Sequence, residues 1–394
     1  MSNLNPKANL QFISANHAAA MAATLAGRAN RNARGFGGGI YPITPQTECI
    51  EYLSKQDIEK GSVVRVESEH SAMGVCIGMA LSGARTFTAS SSNGLSYMAE
   101  NVFAAGFYRL PMVMMAVNRT MGPPWNIWVD HGDTLMLRDS GWIQMYCEDN
   151  QEVLDSILFA YRLAETANIL LPAMVCQDAF VLSHTMMMTD IPSQEQVDEY
   201  LPDLNLPHRV ADRAVTVGGL DFPHETEAHR HQHHDAMMRV FDVYKDCQVE
   251  FKKVFGREIP DPVVGYKTED AEVLLVSMGT VASTARAAVD SLRDQGIKAG
   301  SVRLRLFRPF PHLLLEKMLA SAERIAFIDR NVSPGMGGIM WSEGRVTAPK
   351  DALVQNYMIG LGGGDIRPEM LEKVFADLLS REQAGPPQIV EVGA

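Results

Sequence analysis

The chain of 394 residues has little cysteine and lacks the cysteine spacing that binds metal clusters. It contains five cysteines, and none of them forms a Cys-x-x-Cys pair. Iron–sulfur clusters are usually held by such closely spaced cysteines. We therefore predict that any cluster would have to lie on another subunit. Each cysteine is then expected to be a small buried hydrophobic residue: Cys49, Cys76, Cys147, Cys176 and Cys247.

Long apolar runs and clusters of basic residues are also missing. No apolar stretch approaches the roughly 20 residues that span a bilayer, and the segment Met1–Lys7 is not a basic region followed by an apolar core. The formal net charge is −12 and the sequence pI is about 5.4, which argues against nucleic-acid binding. These features predict a cytoplasmic protein without a membrane or nucleic-acid partner.

Apolar strand-like segments alternate with helical segments in two parts of the chain. This alternation is typical of an α/β fold, with a parallel sheet covered on both faces. We predict an α/β domain over residues 1–184, a connecting segment over 185–265 with a polar helix from 225 to 254, and a smaller α/β domain over 266–394. The glycine string Gly35–Gly39 is predicted to end a first helix and to form a tight turn.

Three polar segments follow predicted strands, at the edge of a parallel sheet where ligands gather. They contain Thr44, the turn Ser90–Gly94 with Asn93, and Arg119. Prolines on both sides of Ile43-Thr44 restrict the backbone and hold the threonine in an extended or turn conformation. Glu69 begins an apolar helical stretch, where a carboxylate is poorly solvated and needs a specific donor.

Each of these residues also has an ordinary structural interpretation. A glutamate at a helix start stabilises the helix dipole, a threonine can cap a turn, and an arginine can form a surface ion pair. His229 and His233 have the i, i+4 spacing of a metal pair on a helix. A solvated helix face is the preferred interpretation of that histidine-rich segment, so no metal site is predicted.

Eight segments, taken in order, resemble the α subunit of the 2-oxoacid:ferredoxin oxidoreductases, and the pyruvate branch most. The resemblance covers most of the chain rather than one short motif. The segments are Tyr41–Pro45, Val66–His70, Asn118-Arg119, Asn126–His131, Arg138–Gln144, Leu171–Met174, Asp178–His184 and Arg308–Phe310.

The resemblance implies a fold and a set of site residues. The first domain would be of the thiamine pyrimidine-binding type, and the second would be similar to the C-terminal domain of transketolase. Glu69 matches the catalytic glutamate that activates the cofactor by hydrogen bonding to its pyrimidine ring, and Asn93 is a further candidate for cofactor contact. Thr44 and Arg119 match the residues that hold the carboxylate and keto oxygen of the substrate.

One motif of complete thiamine enzymes is absent. A Gly-Asp-Gly followed by an Asn binds the magnesium–diphosphate end of the cofactor in such enzymes, and this sequence has none. We therefore predict a β subunit that carries magnesium and the diphosphate site. Ferredoxin-like and γ-type subunits would hold [4Fe-4S] clusters, with electrons passing to ferredoxin, or to NAD through a subunit that binds FAD. Coenzyme A would accept the acyl group.

The substrate is left open between pyruvate and an aromatic 2-oxoacid such as phenylglyoxylate. Trp125 stands where related sequences usually carry a small aliphatic residue, so its ring could shape an aromatic pocket. It could equally pack in the core. Two other functions are considered: a non-catalytic scaffold subunit, and half of a transketolase-type carbon–carbon ligase. A scaffold would need none of Thr44, Glu69 and Arg119, and a ligase would need the missing diphosphate motif.

Overall fold

A computed structural model describes residues 9–391 except residues 33, 211 and 213. The segment Met1–Lys7, on which the prediction about targeting depends, lies outside the described residues. No helix in the described part of the chain is long and apolar enough to cross a membrane.

The strands and helices are numbered in chain order. The strands are β1 (Leu10–Ile13), β2 (Phe36–Ile40), β3 (Gly61–Arg65), β4 (Arg85–Ser90), β5 (Val113–Asn118), β6 (Ile143–Tyr146), β7 (Ala173–Asp178), β8 (Met187–Asp190), β9 (Val263–Tyr266), β10 (Val273–Ser277), β11 (Ala299–Leu304), β12 (Leu306–Arg308), β13 (Arg324–Asp329), β14 (Leu353–Ile359) and β15 (Gln388–Val390). The helices are α1 (Ala15–Ala29), α2 (Thr47–Leu53), α3 (Glu69–Ser82), α4 (Asn93–Tyr97), α5 (Ala99–Phe107), α6 (Gly132–Leu135), α7 (Asn150–Ala164), α8 (Gln194–Tyr200), α9 (Pro223–Phe255), α10 (Val281–Asp294), α11 (His312–Leu319), α12 (Ile339–Gly344) and α13 (Pro368–Ser380).

A seven-stranded sheet forms the first part of the fold. Its strand order is β12-β6-β7-β5-β4-β2-β3, and every neighbouring pair is parallel except β12 and β6. Strands β4, β5 and β7 are buried along their whole length, as expected for a parallel sheet that helices cover on both faces. The predicted α/β fold class is confirmed.

The glycine string that was predicted to be a tight turn is a strand, so that prediction is wrong. Residues Phe36–Ile40 form β2, which is buried throughout and pairs with β3 and β4. A Cβ atom at Gly37 would overlap Met79, and one at Gly39 would overlap the backbone of Ala72. Helix α3 therefore packs against bare backbone, and close approach of helix and strand explains the glycines better than a turn does.

A six-stranded sheet follows, with the order β15-β14-β13-β10-β11-β9. Its strands are parallel except for β9, which pairs antiparallel with β11. Strand β12 comes directly after β11 in the chain but pairs with β6 of the seven-stranded sheet. The two sheets are therefore joined by main-chain hydrogen bonds as well as by side chains.

The segment between the two sheets contains more structure than the sequence indicated. Strand β8 pairs antiparallel with β1, and helix α8 was not predicted. The predicted polar helix is present as α9, whose second half buries Val240, Tyr244 and Phe251 in the core of the first sheet. The domain limits at 184 and 265 stay a prediction.

All five cysteines are buried and free, as predicted. Four of them lie in the cores beneath the seven-stranded sheet, and Cys247 lies on the buried face of α9. Burial raises the pKa of each thiol. A thiol held neutral in this way is neither a nucleophile nor a metal ligand.

Candidate active site

The predicted site residues meet at the carboxyl edge of the seven-stranded sheet. Thr44 follows β2, Glu69 begins α3 after β3, the turn Ser90–Gly94 follows β4 and Arg119 follows β5. Because β3, β2, β4 and β5 are neighbours and parallel, the segments after them share one edge.

Glu69 is a buried carboxyl group at the start of α3. Ser68 caps the helix by accepting a hydrogen bond from the Ser71 backbone N–H, which leaves the Glu69 side chain out of the capping interaction. The side chain is only 7% exposed and makes no hydrogen bond to another described residue. Burial raises its pKa, while a hydrogen bond to its own backbone opposes that rise.

The turn Ser90–Gly94 leaves room for that carboxyl group. A methyl group at Gly94 would lie 2.6 Å from Glu69 Oε1 and 2.6 Å from Ser90 Oγ. The Ser90 hydroxyl is buried and has no hydrogen-bond partner within the described residues. A carboxyl group and an unpaired hydroxyl therefore converge on a glycine that has no side chain to separate them.

Arg119 is held by the backbone on both sides of its guanidinium group. Its Nη1 donates to the Thr44 carbonyl oxygen at 2.6 Å, and its Nε donates to the Asn126 carbonyl oxygen at 3.0 Å. The Nη2 group makes no hydrogen bond to any described residue, and Thr44 is exposed with its hydroxyl likewise unpaired. Burial lowers the arginine pKa, and Asp133 opposes this. The guanidinium therefore keeps donors free for a bound anion.

Asp133, which the sequence reasoning missed, organises the same edge. Its carboxylate accepts hydrogen bonds from the backbone N–H groups of Ser92 and Arg119 and from Asn118 Nδ2, each at 2.9 Å, and from the Thr134 N–H at 2.8 Å. Burial raises the pKa of Asp133 to about 7, against these hydrogen bonds, which favour the ionised form.

Asn93 uses its side chain to fix the loop after β5. Its Nδ2 donates to the Gly122 carbonyl oxygen and its Oδ1 accepts from the Gly122 N–H, both at 3.0 Å. The amide is therefore bonded to protein at both ends. Direct contact between Asn93 and a cofactor stays a prediction, and the contacts themselves describe a residue that positions the loop.

Trp125 packs over that loop rather than in the core. Its ring lies against Gly122, where a methyl group would come within 2.7 Å of Cε3, and 70% of the residue is exposed. The alternative that Trp125 belongs to the core is therefore wrong. A role in substrate binding stays a prediction.

A glycine-rich loop of the second sheet supports the same segment from the other side. Asn126 Nδ2 donates to the Gly362 carbonyl oxygen at 2.9 Å, and its Oδ1 accepts from the Trp128 N–H at 2.7 Å. A Cβ atom at Gly363 would overlap Trp128. The loop Gly360–Gly364 contains a short 3₁₀ helix, Leu361–Gly363, and three of its glycines have positive φ angles.

A buried ion cluster ties this glycine loop to the first sheet. Arg330 donates to the Gly360 and Gly364 carbonyl oxygens at 3.3 and 3.1 Å and lies 3.6 Å from Asp178 at the end of β7. Asp178 also pairs with His131 at 2.8 Å. Although burial raises the pKa of Asp178, its contacts with His131, Arg330 and Thr280 lower it to about 2. The ionised carboxylate thus bridges the two sheets beside the site.

The described residues contain no group of three or more His, Cys, Asp or Glu side chains that could hold a metal ion. His229 pairs with Asp221 at 2.6 Å, whereas His233 lies 3.3 Å from the Gly141 carbonyl oxygen. The two histidines of the i, i+4 pair therefore have different partners.

Comparison with known proteins finds two matching families. The model described as "Pyruvate flavodoxin/ferredoxin oxidoreductase, thiamine diP-bdg" matches residues 38–248. The model described as "Pyruvate:ferredoxin oxidoreductase core domain II" matches residues 271–371.

Similar sequences and structures agree with these matches. The pyruvate synthase subunit PorA of Methanothermobacter thermautotrophicus is 42% identical and covers 93% of this chain and 94% of its own. The ketoisovalerate oxidoreductase subunit VorA of Pyrococcus abyssi is 40% identical over 88% of this chain and 89% of its own. A 2-oxoglutarate:ferredoxin oxidoreductase from Magnetococcus marinus shares the fold with a TM-score of 0.73, at 17% identity, over 96% of this chain and 67% of that one.

Proposed function

Because the chain belongs to the 2-oxoacid:ferredoxin oxidoreductase family as an α subunit, we propose that it carries one half of a thiamine diphosphate site together with the groups that bind a 2-oxoacid. It is a subunit of an oxidoreductase that acts as a multi-subunit complex. The convergence of Glu69, Thr44 and Arg119 on one sheet edge is the observation that carries this proposal.

The residues at the edge fit the pyrimidine end of the cofactor. An aminopyrimidine ring needs a carboxyl group beside a ring nitrogen and polar groups for its amino substituent. Within the described residues, Glu69 offers a buried carboxyl group without a hydrogen-bond partner, and Ser90 offers a buried hydroxyl that is likewise unpaired. Gly94 leaves the space between them open. Thiamine diphosphate, when bound, supplies the nucleophilic carbon for reaction at the 2-oxo group.

Glu69 would act by holding a proton at the pyrimidine nitrogen. Its burial favours the protonated carboxyl group, so the raised pKa brings the proton affinity of Glu69 closer to that of a weakly basic ring nitrogen. A proton shared between groups of similar affinity moves with little cost. The environment of Glu69 therefore suits it to activation of the cofactor rather than to a surface ion pair.

Arg119 and Thr44 would bind the substrate. The free Nη2 of Arg119 can donate to a carboxylate, and its two backbone contacts fix the direction of that donor. The Thr44 hydroxyl is exposed beside the arginine and can donate to the 2-oxo oxygen as negative charge develops there. A 2-oxoacid carries both acceptors on adjacent carbons, which matches two neighbouring donors.

The substrate is proposed to be a 2-oxoacid with a small aliphatic side chain, with pyruvate first. Curated relatives at 40–42% identity are named for pyruvate and for ketoisovalerate. The argument for an aromatic 2-oxoacid such as phenylglyoxylate depends on Trp125 alone. Because Trp125 is highly exposed, its ring offers less apolar contact to a substrate.

Other subunits are proposed to complete the enzyme. A β subunit would bind magnesium and the diphosphate, because the Gly-Asp-Gly motif is missing from this chain. Ferredoxin-like and γ-type subunits would carry [4Fe-4S] clusters, coenzyme A would accept the acyl group, and ferredoxin is the proposed acceptor of electrons. The alternative acceptor is NAD, reached through an FAD-binding subunit.

The assembled complex tests this proposal directly. Oxidation of pyruvate, ketoisovalerate and phenylglyoxylate should be compared with coenzyme A present, using ferredoxin and NAD as separate acceptors. We expect the highest kcat/KM for an aliphatic 2-oxoacid with ferredoxin. Turnover of phenylglyoxylate alone would reject the aliphatic assignment, and no 2-oxoacid oxidation in a complex loaded with thiamine diphosphate would reject the function.

A further inference from the structure

A separate pocket lies at the opposite edge of the seven-stranded sheet. It has a volume of about 410 Å³ and is bounded by the end of α5, by residues 218–221 and by the first turns of α9. The end of α5 leads into the amino end of β5, whereas Arg119 follows the carboxyl end of the same strand. The pocket therefore shares no residue with the candidate active site.

Two arginines line this pocket without a carboxylate partner. Among the residues that the structure describes, neither Arg109 nor Arg230 has a carboxylate oxygen within 4.0 Å. Asp221 is the acidic residue of the lining, and it is paired with His229 at 2.6 Å. Within the described residues, neither guanidinium group is therefore in direct contact with a carboxylate.

Arg109 occupies a position that usually belongs to glycine. It follows the last turn of α5 with a φ angle of 55°, in the left-handed region where a side chain is disfavoured. Its Nη2 donates to the Ile169 carbonyl oxygen at 2.6 Å, while its Nε is buried and has no partner in the described structure. Burial lowers the arginine pKa, and nearby Arg239 lowers it further. The side chain is thus anchored with one buried donor unused.

Arg230 and His233 complete the lining of the pocket. The Arg230 guanidinium lies 3.7 Å from the centre of the Phe107 ring, which fixes its plane and leaves its N–H edges free to donate. His233 lies edge-on to the same ring and 3.3 Å from the Gly141 carbonyl oxygen. Burial lowers the pKa of His233, the Gly141 carbonyl opposes this, and Arg109 and Arg230 lower it further.

We propose that this pocket binds a small organic phosphate. Phosphate offers several acceptor oxygens and up to two negative charges, and arginine forks pair with it through two parallel hydrogen bonds. The chain as a whole is strongly acidic, so its net charge does not explain two neighbouring arginines that lack a carboxylate partner in the described part of the chain. Phe107 and Tyr108 are both partly exposed and offer aromatic surface to the organic part of the ligand.

Calorimetric titration of the assembled complex tests the site. The probes are inorganic pyrophosphate and ADP, with citrate as a carboxylate of comparable charge, all at constant ionic strength. Arg109→Gln and Arg230→Gln should each weaken ADP and pyrophosphate binding by about 10-fold or more through loss of a charge-assisted pair. Arg65→Gln is the matched control, because Arg65 is exposed, contacts Ser54 and lies outside the pocket.

Arg230→Gln also separates binding from folding, because Arg230 is exposed on α9 and its loss leaves no buried group unpaired. Basal oxidation of the 2-oxoacid should be unchanged in this variant. The proposal is overturned if the wild-type complex binds neither probe, or if both variants bind as tightly as wild type. Citrate binding as tight as that of ADP would replace the phosphate assignment with a polycarboxylate.

Discussion

At the scale of single residues, the chemistry of this edge depends on which polar side chains already have hydrogen-bond partners in the protein and which do not. The Asp133 carboxylate accepts hydrogen bonds from four donors, and the Asn93 amide forms two hydrogen bonds with the backbone of Gly122. The Glu69 carboxyl group and the Nη2 group of Arg119 have no hydrogen-bond partner among the described side chains and backbone groups of other residues. Residue type and position predicted Glu69, Asn93 and Arg119 at this edge but not Asp133. Only the contacts separate the residues that position others from those that are free to react.

Glu69→Gln should lower turnover by orders of magnitude while leaving assembly intact. The neutral amide keeps the shape of the side chain but cannot share a proton with the pyrimidine nitrogen. The pH profile of wild-type turnover should show an ionisation above the usual glutamate range, since burial raises the pKa of Glu69, and the variant should lack it.

Glu67→Gln is the matched control for that variant, because Glu67 lies two residues earlier, is exposed and bonds to Ser71. Its turnover should match wild type. If Glu69→Gln stays within a few-fold of wild type, Glu69 is not the activating carboxyl group.

Arg119→Lys should lower kcat/KM for the 2-oxoacid by roughly 10- to 100-fold, about 1.4–2.8 kcal/mol. Lysine keeps the charge but cannot reach the Thr44 and Asn126 carbonyl oxygens and a substrate carboxylate at once. Steady-state kinetics with the 2-oxoacid and with coenzyme A as the varied substrate distinguish weaker binding of the 2-oxoacid from a general loss of activity. Equal losses for both substrates would point to a general structural defect.

At the scale of elements, helices and strands with clear periodicity were predicted well and glycine-rich or short elements were not. The sequence predicts a strand from Val273 to Ser277 and a helix from Pro368 to Leu379, and β10 and α13 lie within one residue of these limits. Apolar spacing marks the strand, and a proline marks the helix start. Strand β2 was missed, because its glycines reflect contact with α3, which is distant in sequence. The sequence around β2 does not indicate which distant helix packs against it.

Gly94→Ala should impair catalysis without unfolding the chain. Gly94 lies in the short helix α4, where alanine is well tolerated, but the added methyl group would lie 2.6 Å from Glu69 Oε1 and from Ser90 Oγ. Turnover and thiamine diphosphate affinity should both fall, as measured by kinetics and titration of the complex.

Gly78→Ala is the control for this substitution, since Gly78 is exposed on α3 and a methyl group there meets nothing within 4 Å. It should leave turnover unchanged and stabilise the chain by up to about 1 kcal/mol through helix propensity. Equal turnover in the two variants would show that the space at Gly94 is not used.

Asn126 tests whether the second sheet positions the substrate arginine. Asn126→Asp keeps the oxygen that accepts from the Trp128 N–H but replaces the Nδ2 donor to Gly362 with an oxygen. If the contact between sheets positions the loop, KM for the 2-oxoacid should rise several-fold in both Asn126→Asp and Asn126→Ala, with KM for coenzyme A unchanged.

Asn32→Ala is the control for loss of an ordinary amide contact, because Asn32 is partly buried and donates a hydrogen bond to the Leu204 carbonyl oxygen. This variant should leave KM unchanged. Wild-type kinetics in Asn126→Asp together with a defect in Asn126→Ala would mean that only the contact within the loop matters.

At the scale of the whole molecule, the sequence predicted two α/β units but not how they are joined. Strand β12 crosses from one sheet to the other, and the residues that bridge the sheets are far apart in the chain. Glu152 on α7 is buried and pairs with Arg303 on β11 at 2.7 Å and with Arg305 at 2.6 Å. No spacing rule connects residue 152 with residues 303 and 305, since only the packed fold brings them together.

Glu152→Gln should therefore weaken the junction of the two sheets. Although burial raises the pKa of Glu152, the two arginines lower it, so the group is an anion that neutralises them. Glu148, 3.3 Å from Arg303, can compensate only one of the two. Removing the charge leaves a buried cation, which typically costs about 3–5 kcal/mol.

Chemical unfolding of the isolated chain, followed by circular dichroism and tryptophan fluorescence, measures this loss. Wild type should unfold in one transition, since main-chain pairing and buried ion pairs hold the two sheets together. Glu258→Gln removes an exposed partner of Lys252 and should leave the midpoint unchanged, because solvent screens that pair. If Glu152→Gln also leaves the midpoint unchanged, the ion pairs of Glu152 with Arg303 and Arg305 do not stabilise the junction. In that case β12 pairing and apolar packing alone must hold the sheets together.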